Sequence, residues 1–272
     1  MPCSFENKIV AGLEVIRCVP ARPARGTPPL VFVHGAFAAA WTWAEKFMPR
    51  VADSGYTSYA LSLRGHGKSF GGDRIDQHSI RDYVDDLSRI VEEVGETPVL
   101  IGHSMGGFVV QKYLEHHPAK AGILMSSVPP QGLVAATFHL FLKRPGLLME
   151  INRLLAKQDI SLEAARDALF AKPIPDELLT RFLQQMSMES QRAIWDMSMF
   201  SLVNISAVRR TPLMVLGVEH DQLIPPFLVN ATANSYAVPA HIFPDFGHGF
   251  PIEQGGEVII DAVVDWLETV LD

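Results

Sequence analysis

The stretch Val99-Leu100-Ile101-Gly102-His103-Ser104-Met105-Gly106-Gly107-Phe108 decides how this chain is read. A short apolar run ends in Gly-x-Ser-x-Gly, and a helix-compatible segment follows at once. That is the strand–turn–helix setting of a nucleophile elbow. Such a turn strains the serine backbone and lifts its hydroxyl above the sheet edge. Gly102 and Gly106 lack the Cβ atoms that would collide where strand and helix pack closely. The helix start past Ser104 points free N–H groups and a positive dipole end at any negative charge that develops there. Five residues form a common pattern, so the reading needs a base and an acid further along the chain.

Working outward, two short strands are expected at Lys8–Ala11 and Leu13–Val19, turning near Gly12, then a surface connection over 20–29. Leu30–Val33 reads as a buried strand that ends in His34-Gly35-Ala36-Phe37. A helix is expected over Trp41–Ser54, a strand over Thr57–Ser62 and a glycine-rich loop over Leu63–Ser69. Ser79–Val94 carries an apolar stripe at helical spacing. A strand over Val99–Ile101, a helix over Met105–His116 and a strand over Gly122–Met125 follow. From about Gln131 to Ser206 the alternation stops and five helical segments succeed one another: Leu133–Lys143, Leu147–Lys157, Leu162–Phe170, Asp176–Met186 and Arg192–Phe200. A structureless loop of that length is improbable in a compact domain, so an all-helical insertion is expected. Alternation resumes with the strand Leu213–Val218, a helix near Pro226–Ser235, the strand Ala240–Phe243 and a last amphipathic helix near Glu253–Leu271. Repeated strand–helix units imply a parallel sheet with helices on both faces, an α/β fold. The expected division is an α/β core from residues 1–130 and 207–272 with a helical cap from 131–206.

The 272 residues, 48% apolar and 19% charged, describe an ordinary globular chain. A net charge of −7 disfavours nucleic acid and anionic membrane surfaces as partners. No apolar run reaches the roughly 18 residues of a membrane span, and the first residues hold no signal core, so a cytoplasmic protein without stable membrane insertion is expected. Cys3 and Cys18 make no disulfide framework or zinc spacing, and no other metal motif occurs. Gly67-Lys68-Ser69 resembles the end of a phosphate-binding loop, but Ser62 stands where its first glycine belongs.

A serine hydroxyl is a poor nucleophile until an imidazole takes its proton, and the imidazole needs a carboxylate to hold its tautomer. Of ten histidines, His248 lies in Gly247-His248-Gly249 directly after the last strand, at the carboxyl edge where open α/β sheets place their chemistry. Asp221 follows the strand Leu213–Val218 at the same edge, 27 positions earlier. Glu219 reads as a solvated neighbour, and Asp245 sits too close to His248 in sequence to face it. The order Ser104, Asp221, His248 is that of hydrolases with a nucleophile elbow. A tetrahedral intermediate also needs two N–H donors for its oxyanion. Met105 N–H is one, and Ala36 N–H is preferred over Phe37 for the other. Phe37, Trp195, Leu223 and Phe250 are the expected pocket lining, while Met186, Met188, Met197 and Met199, with Trp195 and Phe200, are expected mostly to pack as core, the other reading being an adaptable apolar wall over the site.

With these residues in place, the chain resembles the α/β-hydrolase superfamily over nearly its whole length outside the helical insertion. The resemblance rests on His34-Gly35-Ala36-Phe37, Arg64-Gly65-His66-Gly67-Lys68-Ser69, Gly102-His103-Ser104-Met105-Gly106-Gly107, Asp221 and Gly247-His248. It implies a mostly parallel eight-stranded, doubly wound sheet, a cap inserted after the sixth strand, and cofactor-free acyl-enzyme chemistry. Serine at the elbow argues against members that use aspartate there. His34-Gly35-Ala36-Phe37 with Trp41-Thr42-Trp43 is also similar to plant-type methyl esterases and hydroxynitrile lyases, but Gln222–Val229 lacks the lysine of the lyases. The expected function is hydrolysis of a small-molecule carboxylic ester with a substantial apolar part. The same triad acting on a C–C bond, thioester or amide, and a ligand receptor on the same fold, stand as rivals.

Overall fold

In β3 (Leu30–Val33), Val31 and Val33 enter one apolar layer while Leu30 and Phe32 enter another. Successive side chains of a strand point to opposite faces, so a strand buried on both sides feeds two cores. The same split recurs in β5 (Val99–His103), β6 (Ala121–Met125) and β7 (Leu213–Val218). A computed structural model describes residues 3–271. Its sheet holds eight strands in the order β1-β2-β4-β3-β5-β6-β7-β8, with β1 (Cys3–Val10), β2 (Leu13–Pro20), β4 (Ser58–Leu61) and β8 (Ala240–Phe243) completing it. β1 and β2 pair antiparallel, as do β2 and β4, and every other pairing is parallel. Ala11 and Gly12, both at positive φ, make the two-residue turn whose twist suits a hairpin.

Helices cover both faces. One layer packs α3 (Ile80–Val94), α4 (Met105–Leu114) and a helix over Pro226–Tyr236. The other packs α1 (Trp41–Ala44), α2 (Phe47–Asp53) and a helix over Glu257–Leu271. The single helix expected over Trp41–Ser54 is broken in two. Pro49 has no N–H for the Glu45 carbonyl, and its ring would crowd that carbonyl in a continuous helix. Ser79 and Asp82 form a reciprocal capping box at the start of α3, and Gly95, at φ 75°, ends it.

Between β6 and β7 the chain is helical: α5 (Val134–Lys143), α6 (Pro145–Leu155), α7 (Leu162–Leu169), α8 (Asp176–Gln185), α9 (Gln191–Trp195) and α10 (Ile205–Val208). The helices over Pro226–Tyr236 and Glu257–Leu271 are then α11 and α12. α10 and a 3₁₀ turn over Gly72–Gln77 were not expected, being too short to show a periodic stripe. α9 runs into a π-helical turn, Asp196–Phe200. There the core-packing expectation is corrected: Met197 is buried, but Met199 and Phe200 are exposed, as are Met188 before α9 and Trp195 at its end. The wider turn adds a residue and throws the apolar spacing out of phase with the layer beneath. The last helix starts at Glu257 rather than Glu253, because Gly255 takes a left-handed conformation (φ 84°) just before it.

Backbone approaches backbone closely at the elbow. A Cβ on Gly106 would strike the carbonyl oxygens of Val33 and His34, and one on Gly102 would strike the backbone of Gly106 and Gly107. Gly146, in the first turn of α6, has nothing within 4 Å of that position. Gly106→Ala is expected to cost about 3 kcal/mol in urea unfolding through overpacking. Gly146→Ala should instead gain a few tenths to ~1 kcal/mol from helix propensity.

Candidate active site

Four strand ends meet at the carboxyl edge of the parallel sheet: His34–Phe37 after β3, Ser104 after β5, Asp221 after β7 and His248 after β8. Ser104 sits at φ 54° and ψ −118°, a conformation rare for a residue with a side chain. The turn is held by Ser104 N–H donating to Met125 O (3.0 Å) and Val128 N–H donating to Ser104 O (3.1 Å). Both bonds tie it to the exit of β6.

Asp221 is buried and its carboxylate is fully occupied. Oδ1 accepts from the amides of Leu223 (2.9 Å) and Ile224 (2.7 Å), and Oδ2 accepts from His248 Nδ1 at 2.8 Å. An acceptor at Oδ2 fixes the His248 tautomer with its proton on Nδ1. Nε2 is then the ring nitrogen with no partner among the described residues. His248 and Ser104 line one cavity of about 600 Å³, without a direct hydrogen bond between them.

Gly35, Ala36, Phe37 and Met105 line the same cavity. Among the described residues, the amides of Ala36, Phe37 and Met105 donate to no protein acceptor. Phe37 lies at φ 63°, and its carbonyl accepts from Ser187 N–H at 3.0 Å, which pins this turn to the segment between α8 and α9. Trp195 and Leu223 also reach the cavity. Phe250 does not: it is fully buried against Phe47 and His103, and Gly249, Pro251 and Ile252 line the wall instead. Leu140, Leu148, Ile151, Phe182 and Ile194 from the helical stretch supply much of the remaining surface, which makes the cavity chiefly apolar.

Several supporting residues had no role assigned to them from the sequence. Glu253 is buried, and its carboxylate accepts from Gly247 N–H (2.9 Å) on the His248 loop and from Ala171 (3.0 Å) and Lys172 (2.8 Å) after α7. Gly249 N–H adds a bond to Leu169 O at 2.6 Å. His103 Nε2 donates to the His248 carbonyl at 3.1 Å. Burial, then the neighbouring His248 ring, hold the His103 pKa well below the usual imidazole value. His34 accepts from Leu63 N–H on Nε2 (3.0 Å) and donates from Nδ1 to Gly35 O (2.8 Å). Burial first, and the charge of His66 second, push its pKa down to about 3.

His66 lies away from Ser104 and faces Glu189. Its Nε2 donates to Glu189 Oε2 at 3.0 Å and its Nδ1 to Arg64 O at 3.1 Å, so both nitrogens carry protons. Burial opposes that charge, but the carboxylate of Glu189 outweighs it and holds the His66 pKa above the usual value. Tyr83 donates to the other oxygen of Glu189 at 2.8 Å. The signals for these residues were faint. Glu253 was read as the first turn of a helix, although Gly255-Gly256 just after it argues for a turn there.

Residues 30–262 match the model of the Alpha/beta hydrolase family, and the chain belongs to that family. Over 95% of this chain and 94% of its own length, the monoacylglycerol lipase of Mycolicibacterium smegmatis is 26% identical. Norfluorocurarine synthase 1 of Strychnos nux-vomica is 34% identical over 108 residues, 38% of this chain and 40% of that protein. The chain thus aligns with about two fifths of the first curated relatives it matches. Among solved structures, naproxen esterase from Bacillus subtilis superposes with a TM-score of 0.69 at 19% identity, covering 97% of this chain and 91% of that one. At that identity the likeness speaks for the fold alone.

The two neutral histidines make stability pH-dependent. In the unfolded chain an imidazole titrates near pH 6.5, whereas folded His34 stays neutral down to about pH 3. The unfolded state therefore binds the extra proton between those values, and stability falls as pH falls through that window, by about 1.4 kcal/mol per unit for one such group. His103 acts in the same direction. His66 acts oppositely: its contribution is fully present below pH ~6.5 and is lost as pH rises through its raised folded pKa. In urea unfolding, the natural chain is expected to lose about 2 kcal/mol more stability between pH 6 and pH 4 than His34→Gln loses.

Proposed function

We propose that the protein is a serine hydrolase for carboxylic esters with a substantial apolar part, working through an acyl-enzyme. The observation that carries this reading is the hydrogen bond from His248 Nδ1 to Asp221, which leaves the other ring nitrogen for Ser104 across a shared cavity. Ser104 Oγ attacks the ester carbonyl while His248 Nε2 takes its proton. The Ala36 and Met105 amides hold the oxyanion that forms. Collapse of the tetrahedral intermediate breaks the bond to the alcohol oxygen, which leaves with the proton from His248. Water, deprotonated by His248, then attacks the acyl carbon, and the carboxylic acid departs as Ser104 recovers its proton.

The cavity volume falls within the ~300–1,000 Å³ of small-molecule sites, and its aliphatic surface favours an acyl or alcohol group of several carbons over acetate or methanol. Residues 131–206 act as the cap that supplies this wall, and 1–130 with 207–272 as the core that supplies the reacting groups. The Glu253 clamp makes the cap and the His248 loop neighbours through shared hydrogen bonds. Glu253 is accordingly a positioning residue.

Labelling with a fluorophosphonate and hydrolysis of nitrophenyl esters of graded acyl length test the reading. The natural chain is expected to label and to prefer longer acyl groups, while Ser104→Ala loses labelling and at least ~1,000-fold in kcat. An unlabelled natural chain would overturn the reading and favour a receptor. Glu253→Gln puts an N–H₂ where an acceptor oxygen stood. It should lower kcat about tenfold through misplacement of His248 while KM stays within about twofold. An unchanged kcat would remove Glu253 from the site.

A further inference from the structure

The helices that wall the cavity turn a second apolar surface outward. In α5, Leu140 faces the cavity, while Val134, Phe138, Phe141 and Leu142 fall on the outer side at helical spacing. In α6, Leu148 and Ile151 face inward and Met149 outward. The five outward side chains are between 58% and 65% exposed, and Phe227 stands beside them through its contact with His139 on α5. Exposed apolar surface of this kind marks an interaction site.

Charge says what covers it. Residues 131–160 carry four basic side chains, Lys143, Arg144, Arg153 and Lys157, against two acidic ones, Glu150 and Asp159. Arg153 pairs with Glu150 and Lys157 with Asp76, which leaves Lys143 and Arg144 with no carboxylate partner among the described residues. Both are exposed, at the junction of α5 and α6. The chain as a whole carries −7, but screening at physiological salt limits its reach to about 8 Å, so the local basic pair governs a contact made here. Aromatic and aliphatic side chains beside unpaired Lys and Arg form the pattern of a surface that lies on anionic lipid. Pairing two copies through this face would set one Lys143–Arg144 pair against another, whereas an anionic surface neutralises both.

We infer that the outer face of α5 and α6, with Phe138, Phe141, Lys143 and Arg144 at its centre, docks on the surface of an anionic lipid bilayer. Among the described residues no helix is long and apolar enough to cross a membrane, so the contact is peripheral. It places the wall of the apolar cavity against the phase in which an apolar ester would dissolve. The inference goes beyond the hydrolase reading and is tested apart from it, on protein that cannot turn over.

Co-sedimentation of Ser104→Ala with vesicles of phosphatidylcholine alone, and of equimolar phosphatidylcholine and phosphatidylglycerol, makes the test. Binding to the anionic vesicles is expected to be about thirtyfold tighter, from two basic residues at about 1 kcal/mol each. Adding Lys143→Gln with Arg144→Gln should bring it to the phosphatidylcholine level. Adding Phe138→Ser with Phe141→Ser should abolish binding to both vesicles. Circular dichroism checks folding, and if the phenylalanine pair unfolds, the charge pair decides alone. Absence of binding, equal binding to both vesicles, or binding indifferent to the charge pair would overturn the inference. So would self-association in sedimentation equilibrium, lost with the phenylalanine variants, because it would assign the face to a second copy.

Discussion

Strand β5, helix α4 and the turn after β3 crowd together so closely that β-carbons are excluded between them. Gly102 meets the backbone of Gly106 and Gly107, Gly106 meets the carbonyls of Val33 and His34, and Gly35 lies against His103 and Ser104. This contact forces the backbone of Ser104 to a positive φ and presents the amide of Met105 beside the turn that carries Ala36. Strain at one residue costs about 1–3 kcal/mol and persists only where the surroundings over-determine it. Here the surroundings are two buried strands, a buried helix and two backbone hydrogen bonds to the exit of β6.

Around that contact, buried histidines act as fixed spacers. His34 joins the turn after β3 to the exit of β4, and His103 holds the carbonyl of His248. Both are neutral because burial denies them a second proton. His66 differs in having a buried carboxylate to face, and it keeps its charge. Three histidines of one family motif set thus divide by the partner each finds, which residue spacing alone does not reveal.

The sheet was legible because its strands are short, apolar and bounded by turn residues: Leu30–Val33, Leu213–Val218 and Ala240–Phe243 fall where the sequence places them. The positions of Ser104, Asp221 and His248 were legible for a related reason, since each follows a strand at one sheet edge. What escaped depends on contacts distant in sequence. Glu253 is defined by amides at 171, 172 and 247, Glu189 by His66 and Tyr83, and Phe250 by a core it joins rather than a cavity it faces. The outward turn of Met199 and Phe200 escaped because a π-helical turn breaks the period that the reading assumes. Whole-chain charge likewise averaged away the unpaired Lys143 and Arg144.

The bonds from Glu253 and Gly249 to the residues after α7 have a consequence for how the protein tires with heat. The loop bearing His248 leans on segment 169–172 rather than on the sheet alone. Local opening costs less than global unfolding. Fraying of α7 would therefore slacken that loop while every strand was still paired, so this corner of the cavity would loosen before the sheet came apart.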